Sequence, residues 1–259
     1  MKYINNYDKI EKLKNVKDYS VIIDFDHTLT TGNSNTSYGI IPSYLGGEVQ
    51  EEREKIFNHY RPIELDYTIS CQEKETLMKQ WAQSSFTLLS KHTTKDIVNK
   101  AVENANLTLR PGTKEWFERM HKENIPVIVM SAGIGNIIEC FLEKQGVLYS
   151  NVIIFSNFFT FSKDGKAYID IENVIPTANK DYKLLPENIK QIIEKSRKVL
   201  LFGDIIEDIQ MINKEQRDKT ITIGFLDHNI SENLTTYLAN YDVVLTDKEG
   251  FFNVQEILD

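Results

Sequence analysis

A chain of 259 residues, 41% apolar and 26% charged, has the composition of an ordinary globular protein, built as one large domain or as one domain with an insertion. Its formal net charge of −8 argues against a nucleic-acid polymer as the main partner, because phosphate-backbone binding needs a basic surface, yet it leaves room for a small anion held by one or two local cations. Cys71 and Cys140 are isolated thiols with no disulfide framework and no thiolate metal site, no run reaches membrane-spanning length, and the Lys-rich start has no apolar signal core, so the expectation is a cytoplasmic protein without a membrane partner.

In chain order, residues 5–18 carry Ile10, Leu13 and Val16 at helical spacing. A strand over 20–25 then runs into Asp24-Phe25-Asp26-His27-Thr28-Leu29. Residues two apart on a strand share a face, so Asp24 and Asp26 aim into one pocket while Phe25 points away. Paired carboxylates at a strand tip suit a hard cation such as Mg²⁺, or a division of labour between nucleophile and acid. The same residues also read as an Asp-rich turn in which Thr28 or Asp26 caps a helix.

Residues 31–48, rich in Gly, Ser, Asn and Thr with Pro42, read as a loop leaving the first domain. Segments 49–60 and 70–90 read as helices, joined by 61–66, which Pro62 holds extended. A further helix starts at Thr93 or Thr94, where Thr93 and Asp96 have capping-box spacing, and buries Ile97, Val98, Ala101 and Val102. From residue 110 the rhythm becomes alternating. Arg110-Pro111-Gly112-Thr113 opens a helix, followed by a strand at 126–130, the loop Ser131-Ala132-Gly133-Ile134-Gly135, and a helix at 136–145 closed by Gly146. A strand at 151–155, a hairpin at 158–172 turning at Asp164-Gly165, and a helix at 186–195 come next. A strand at 198–202 is followed by Gly203-Asp204 and a helix to about 213, then strand 220–225, helix 231–239, strand 242–246 and a closing helix. Apolar strands alternating with helices predict an α/β fold whose parallel sheet is covered on both faces. The expected division is an α/β core over 1–34 and 106–259 with a helical cap over 35–105.

Ligands of open α/β sheets bind beyond the carboxyl ends of the strands. Asp24 and Asp26, Ser131 with its glycine-containing loop, and Gly203-Asp204 with Asp208 all sit at such ends, and Lys180 lies in the polar connection after the hairpin. Acidic strand ends, a hydroxyl with loop amides and one lysine make a site for a metal ion and a phosphoryl group. Singly, each also has a plainer use: Ser131 as a helix cap, Gly203-Asp204 as a tight turn, Lys180 as a solvated side chain.

Asp24-Phe-Asp-His-Thr-Leu29 resembles the DxDxT signature of haloacid-dehalogenase-superfamily phosphatases, and Ser131, Lys180 and Gly203-Asp204-x-x-x-Asp208 look like that superfamily's later motifs. Ser131-Ala-Gly-Ile-Gly135, Ser156-Asn157-Phe158, Asn179-Lys180 and Ile63-Glu64-Leu65-Asp66 are similar to the cytosolic pyrimidine 5′-nucleotidase family (cytosolic 5′-nucleotidase III), over nearly the whole chain from residue 20. The resemblance implies a Rossmann-like core with an inserted helical cap. It implies Mg²⁺ held by the Asp24 side chain, the Asp26 carbonyl and Asp204, with Asp208 behind them. It further implies Asp24 as nucleophile, Asp26 as acid and base, and nucleotide contacts at Glu64, Ser85, Ser131, Ala132 and Lys180. Tyr67, Trp81 and Phe86 are candidate stacking surfaces for the base. His27 departs from the pattern, standing where animal members carry an apolar residue. The expected substrate is a pyrimidine nucleoside monophosphate, CMP or UMP, handled by a monomer. The alternatives are 7-methyl-GMP, a small ester such as phosphoserine, or transfer of the phosphate to a nucleoside; an intact nucleophile argues against a non-catalytic nucleotide binder.

Overall fold

Val21, Ile22 and Ile23 form the middle of strand β2 (Tyr19–Ile23), and all three are fully buried. Alternation sends Val21 and Ile23 to one face of the sheet and Ile22 to the other, so both faces must be covered. The computed structural model describes residues 1–66, 68–176, 180–246 and 249–258, with the side chains of Glu64, Leu65 and Cys71 outside that description.

Strand β2 pairs in parallel with β3 (Val127–Ile134) on one side and β7 (Lys198–Gly203) on the other. With β4 (Val152–Asn157), β8 (Thr220–Leu226), β9 (Val243–Thr246) and β1 (Lys2–Ile4), the described residues form a seven-stranded sheet ordered β1-β9-β8-β7-β2-β3-β4, in which β1 alone runs antiparallel. Helices α1 (Tyr7–Leu13), α6 (Thr113–Lys122), α7 (Gly135–Lys144) and α10 (Phe251–Leu258) pack on the Val21/Ile23 face through Ile10, Trp116, Phe117, Ile137 and Phe251. Helices α8 (Glu187–Lys195) and α9 (Ile230–Asn240) cover the Ile22 face through Ile189, Ile193 and Leu234. The three-layer α/β architecture with a mostly parallel sheet is the expected one.

Between β2 and β3 the chain forms α2 (Ile40–Leu45), α3 (Gly47–Leu65), α4 (Cys71–His92) and α5 (Lys95–Asn104). Helix α3 packs on α4, and α5 packs on both α2 and α7. The hairpin after β4 is present as β5 (Thr160–Phe161) against β6 (Ala167–Tyr168). No helix among the described residues is long and apolar enough to cross a membrane.

Several local expectations are corrected. The stretch 31–48 is not all loop, because Ile40, Ile41 and Pro42 are buried in α2, whose first turn tolerates the proline. Pro62 does not hold 61–66 extended: α3 runs through it to Leu65, and a proline this near a helix end forfeits a backbone bond without breaking the helix. Thr94 rather than Thr93 caps α5, accepting the Ile97 N–H at 3.2 Å, while the Thr93 hydroxyl turns back to the Leu89 carbonyl at 2.7 Å. Helix α1 ends at Leu13, short of Val16. The edge strand β1 lacks the long apolar run of the inner strands and was not expected. After Gly203 the chain makes short 3-10 turns at Ile206–Met211 and Lys214–Lys219 instead of one α-helix.

Candidate active site

The Asp24 N–H still bonds the Phe202 carbonyl of β7 at 3.0 Å, so the first carboxylate leaves the sheet beside the strand that ends in Gly203-Asp204. Strand β2 ends at Ile23, short of the expected 25, and it is the turn over Phe25–Leu29 that sends Phe25 into the core, edge-on to Phe141, and leaves Asp24 and Asp26 lining one cavity. The chain then bends tightly. His27 takes a left-handed backbone (φ 61°), and its N–H is received by Thr30 Oγ1 at 2.9 Å. Arg110 holds this turn from below: its Nε donates to the Thr28 carbonyl at 2.7 Å and its Nη2 to the His27 carbonyl. Asp227 pairs with the same guanidinium at 2.7 Å, and both side chains are buried.

The later motifs arrive from the neighbouring strands. Lys180 is buried and its Nζ lies 2.6 Å from Asp24 Oδ1, with Asp208 Oδ1 as its second partner. Asp208 Oδ2 accepts the N–H groups of Asp204 and Ile205 at 3.0 and 3.2 Å, which shapes the turn after β7. Gly203 must be glycine here, since a Cβ would stand 2.4 Å from that of Asp208. Asp204 Oδ1 accepts from Thr28 Oγ1 at 3.3 Å. Tyr237 and Tyr241, from α9 and its end, donate to the Asp204 and Ile205 carbonyls. On β3, Ser131 is no helix cap: its buried Oγ accepts the Gly133 N–H at 3.1 Å. Asn157 anchors the same loop, donating to the Ala132 carbonyl at 2.8 Å and the Ile175 carbonyl at 3.0 Å, and Ser156 donates to the Gly133 carbonyl at 3.0 Å. Ser156 and Asn157, at the end of β4, therefore brace the Ser131 loop, which is not a break after the strand as the sequence predicts but a register-shifted stretch within β3, since that strand continues to Ile134.

These groups surround a cavity of about 330 Å³, within the range of small-molecule sites. Asp24, Asp26, Ser131, Ala132, Lys180 and Asp204 form its floor; Ser85, Trp81 and Phe86 of α4 form the opposite wall, with His27 at the side. Ser85 Oγ is buried beside the Tyr38 hydroxyl, which also lines the cavity. Trp81 stacks on Tyr60 at 6.0 Å and also meets Phe57, so it is both wall and packing. Of the other expected site residues, the Glu64 side chain and Tyr67 lie outside the described residues.

The electrostatics are strained. Burial, then the charges of Asp208 and Asp26, push the Asp24 carboxyl up to about 7 against the opposing pull of Lys180. Burial also raises Asp26, opposed by its hydrogen bonds from Ser37, and raises Asp204 with help from Asp24 and Asp208. Burial alone would lower Lys180, but Asp208 and Asp24 outweigh it and hold the ammonium charged. Asp24, Asp204 and Asp208 each bring a carboxylate oxygen within 4.8 Å of the others. Four acids around one lysine leave negative charge uncompensated, and an all-oxygen set of this kind fits a hard divalent cation.

The structure brings the strand ends singled out in the sequence to one cavity and adds three supports that sequence reasoning missed. Ser37 binds both oxygens of Asp26 at 2.6 and 2.7 Å, Arg110 braces the turn, and the α9 tyrosines hold the Asp204 loop. Only Arg110 carried a signal, as a charged residue beside a Pro-Gly turn.

An α/β sheet with paired acids after its first parallel strand, a buried lysine and a second acidic strand end defines a phosphohydrolase of the haloacid-dehalogenase type. The sequence model of pyrimidine 5′-nucleotidase (UMPH-1) matches residues 8–259, and the chain belongs to that family of nucleotide phosphohydrolases. It is 30% identical over 248 residues to the 7-methylguanosine phosphate-specific 5′-nucleotidase of Gallus gallus, covering 92% of this chain and 86% of the relative. The protein of that name in Homo sapiens is 31% identical over 92% of this chain and 83% of its own length. Among solved structures, cytosolic 5′-nucleotidase IIIB bound to cytidine superposes with a TM-score of 0.81 at 25% identity, covering 99% of this chain and 92% of that one. A phosphoserine phosphatase carrying a phospho-aspartyl intermediate analogue shares the fold at 20% identity, with a TM-score of 0.58 over 95% of this chain and all of that one.

Proposed function

We propose that the protein is a Mg²⁺-dependent 5′-nucleotidase that removes the 5′-phosphate of pyrimidine nucleoside monophosphates, CMP or UMP, through a phosphorylated Asp24. The observation that carries this reading is the single cavity in which Asp24, Asp26, Lys180, Asp204 and the Ser131 loop face an aromatic wall. The side chains of Asp24 and Asp204 and the Asp26 carbonyl would hold Mg²⁺, with Asp208 behind them, and the cation would neutralise the charge of a phosphoryl group among these acids.

Asp24 attacks phosphorus in line and becomes an aspartyl-phosphate as the ribose 5′-oxygen departs. Asp26, protonated at the start, gives its proton to that oxygen and later takes one from the water that opens the intermediate. Ser131 Oγ, the Ala132 amide and Lys180 Nζ fix the remaining phosphoryl oxygens; positioning and charge stabilisation are most of what phosphoryl transfer asks of a protein. Residues 35–105 act as a cap over the core of 1–34 and 106–259, with Glu64 and Ser85 selecting the base. Trp81 offers stacking surface worth about 1–3 kcal/mol per base, whereas Phe86, expected beside it, is buried between Tyr38 and Phe159 and supports the wall from behind. We place the enzyme in the cytoplasm, in keeping with the cytosolic names of two of its relatives.

A second reading, 7-methyl-GMP as the preferred substrate, is favoured by the names of the vertebrate relatives. Phosphate release from CMP, UMP, 7-methyl-GMP and phosphoserine, with and without Mg²⁺, separates the readings. Magnesium-dependent turnover greatest on CMP or UMP is expected; preference for 7-methyl-GMP establishes the second reading, and preference for phosphoserine rejects both.

A further inference from the structure

The chain that leaves β2 comes back to it. Thr30 bridges to Leu109 and closes the core loop, yet a little further on Ser37, at the start of the helical segment, lies against Asp26. Ser37 is fully buried. Its backbone N–H donates to Asp26 Oδ1 at 2.6 Å and its hydroxyl to Asp26 Oδ2 at 2.7 Å, so one residue fixes both carboxyl oxygens. Gly133 closes the arrangement from β3: a Cβ there would stand 1.8 Å from Ser37 Oγ and 3.1 Å from Asp26 Oδ2.

We propose that Ser37 is a positioning residue for the reaction, holding the Asp26 carboxyl in the orientation from which it passes a proton to the departing oxygen, and that Gly133 is glycine to make room for it. The inference rests on Asp26 being the proton donor. A carboxyl group held at one oxygen still swings about its Cβ–Cγ bond; held at both, it does not. An N–H can only donate, so Oδ1 accepts throughout, and the Ser37 hydroxyl donates to one lone pair of Oδ2, which leaves that oxygen a second position for the proton that is passed on. The Ser37 contact therefore survives with Asp26 in either form and serves both halves of the reaction. Because Ser37 belongs to the chain leading into the helical segment, the seat of that segment and the aim of Asp26 are set by the same contact.

The test compares Ser37→Ala, Gly133→Ala and the double variant with the wild type. Three esters are used: whichever of CMP, UMP and 7-methyl-GMP is turned over fastest, phenyl phosphate, and para-nitrophenyl phosphate, whose phenolate leaves without a proton. Ser37→Ala should lower kcat on the nucleotide and phenyl phosphate by about tenfold or more beyond its effect on the nitrophenyl ester, with KM little changed. Gly133→Ala should give the same selective loss by displacing Ser37. The double variant should lose far less than the product of the two, because the hydroxyl that the added methyl group strikes is gone. Equal losses on all three esters, at an unchanged melting temperature, overturn the role of Ser37; multiplicative losses overturn that of Gly133. If Ser37→Ala does not fold, Gly133→Ala alone decides by the same ratio. A wild type that splits aryl phosphates but no nucleotide defeats the nucleotidase reading instead, and the phenyl-to-nitrophenyl ratio still judges Ser37.

Discussion

Asp24 sits where a carboxylate is least comfortable, buried beside Asp208 and Asp26 with Lys180 as its compensating charge. Its carboxyl titrates near 7 in the folded chain against an ordinary 3.8, so between those values the folded state holds a proton that the unfolded state has released. The sign follows: without metal, this group makes stability fall as pH rises through that window. Thermal melting in chelator should show Asp24→Asn with a flatter pH dependence than the wild type from 3.8 towards 7, and with no loss of stability at the upper end. Identical slopes in the two proteins would contradict this. The same substitution should abolish turnover. At this scale the sequence was most informative where chemistry follows directly on a strand, as for Asp24, Ser131 and Asp204. It was silent on Ser37, whose bond to Asp26 is made across a loop with no periodic pattern to announce it.

At the scale of elements, the loop after β2 is held by a brace with parts from two distant places in the chain. Arg110, just before α6, reaches the Thr28 and His27 carbonyls; Asp227, just after β8, neutralises it and accepts the Gly32 N–H at 3.0 Å. The Phe225 ring lies 4.0 Å beneath the guanidinium. Arg110→Met leaves Asp227 buried without its partner and the two carbonyls without donors, so urea unfolding should show a loss of about 3–5 kcal/mol. A change below about 1 kcal/mol would mean the pair behaves like an exposed one and does not brace the loop. The helices illustrate why local signals mislead. Pro62 reads as a break, yet α3 continues through it because the substituted turn is nearly its last. Ile40, Ile41 and Pro42 lie in a stretch of loop-like composition, and their burial against the core, which no local propensity records, decides for α2.

For the molecule as a whole, the alternation of apolar strands with amphipathic helices was enough to predict a parallel sheet covered on both faces, because the central strands carry unbroken apolar runs over 21–23, 127–130 and 199–202. The order β1-β9-β8-β7-β2-β3-β4 was not readable, since strand neighbours are chosen by packing across the whole sheet. The outcome puts β2 between β3 and β7, and so brings Asp24, Ser131 and Asp204 to one cavity from distant parts of the chain. The same convergence would make the proposed cation a global stabiliser. Mg²⁺ at a hundredfold over its dissociation constant should add about 2.7 kcal/mol to folding, read as a raised melting temperature. That rise should be lost in Asp204→Asn; an equal rise in both proteins would place the cation elsewhere.

The most direct measurement is an acid quench of the Mg²⁺-loaded enzyme turning over phosphate-labelled substrate, followed by peptide mapping of the trapped label. Covalent phosphate on the peptide containing Asp24, absent from Asp24→Asn, is the predicted result. Phosphate release without any acid-stable phosphoprotein, or label carried by another residue, would contradict it.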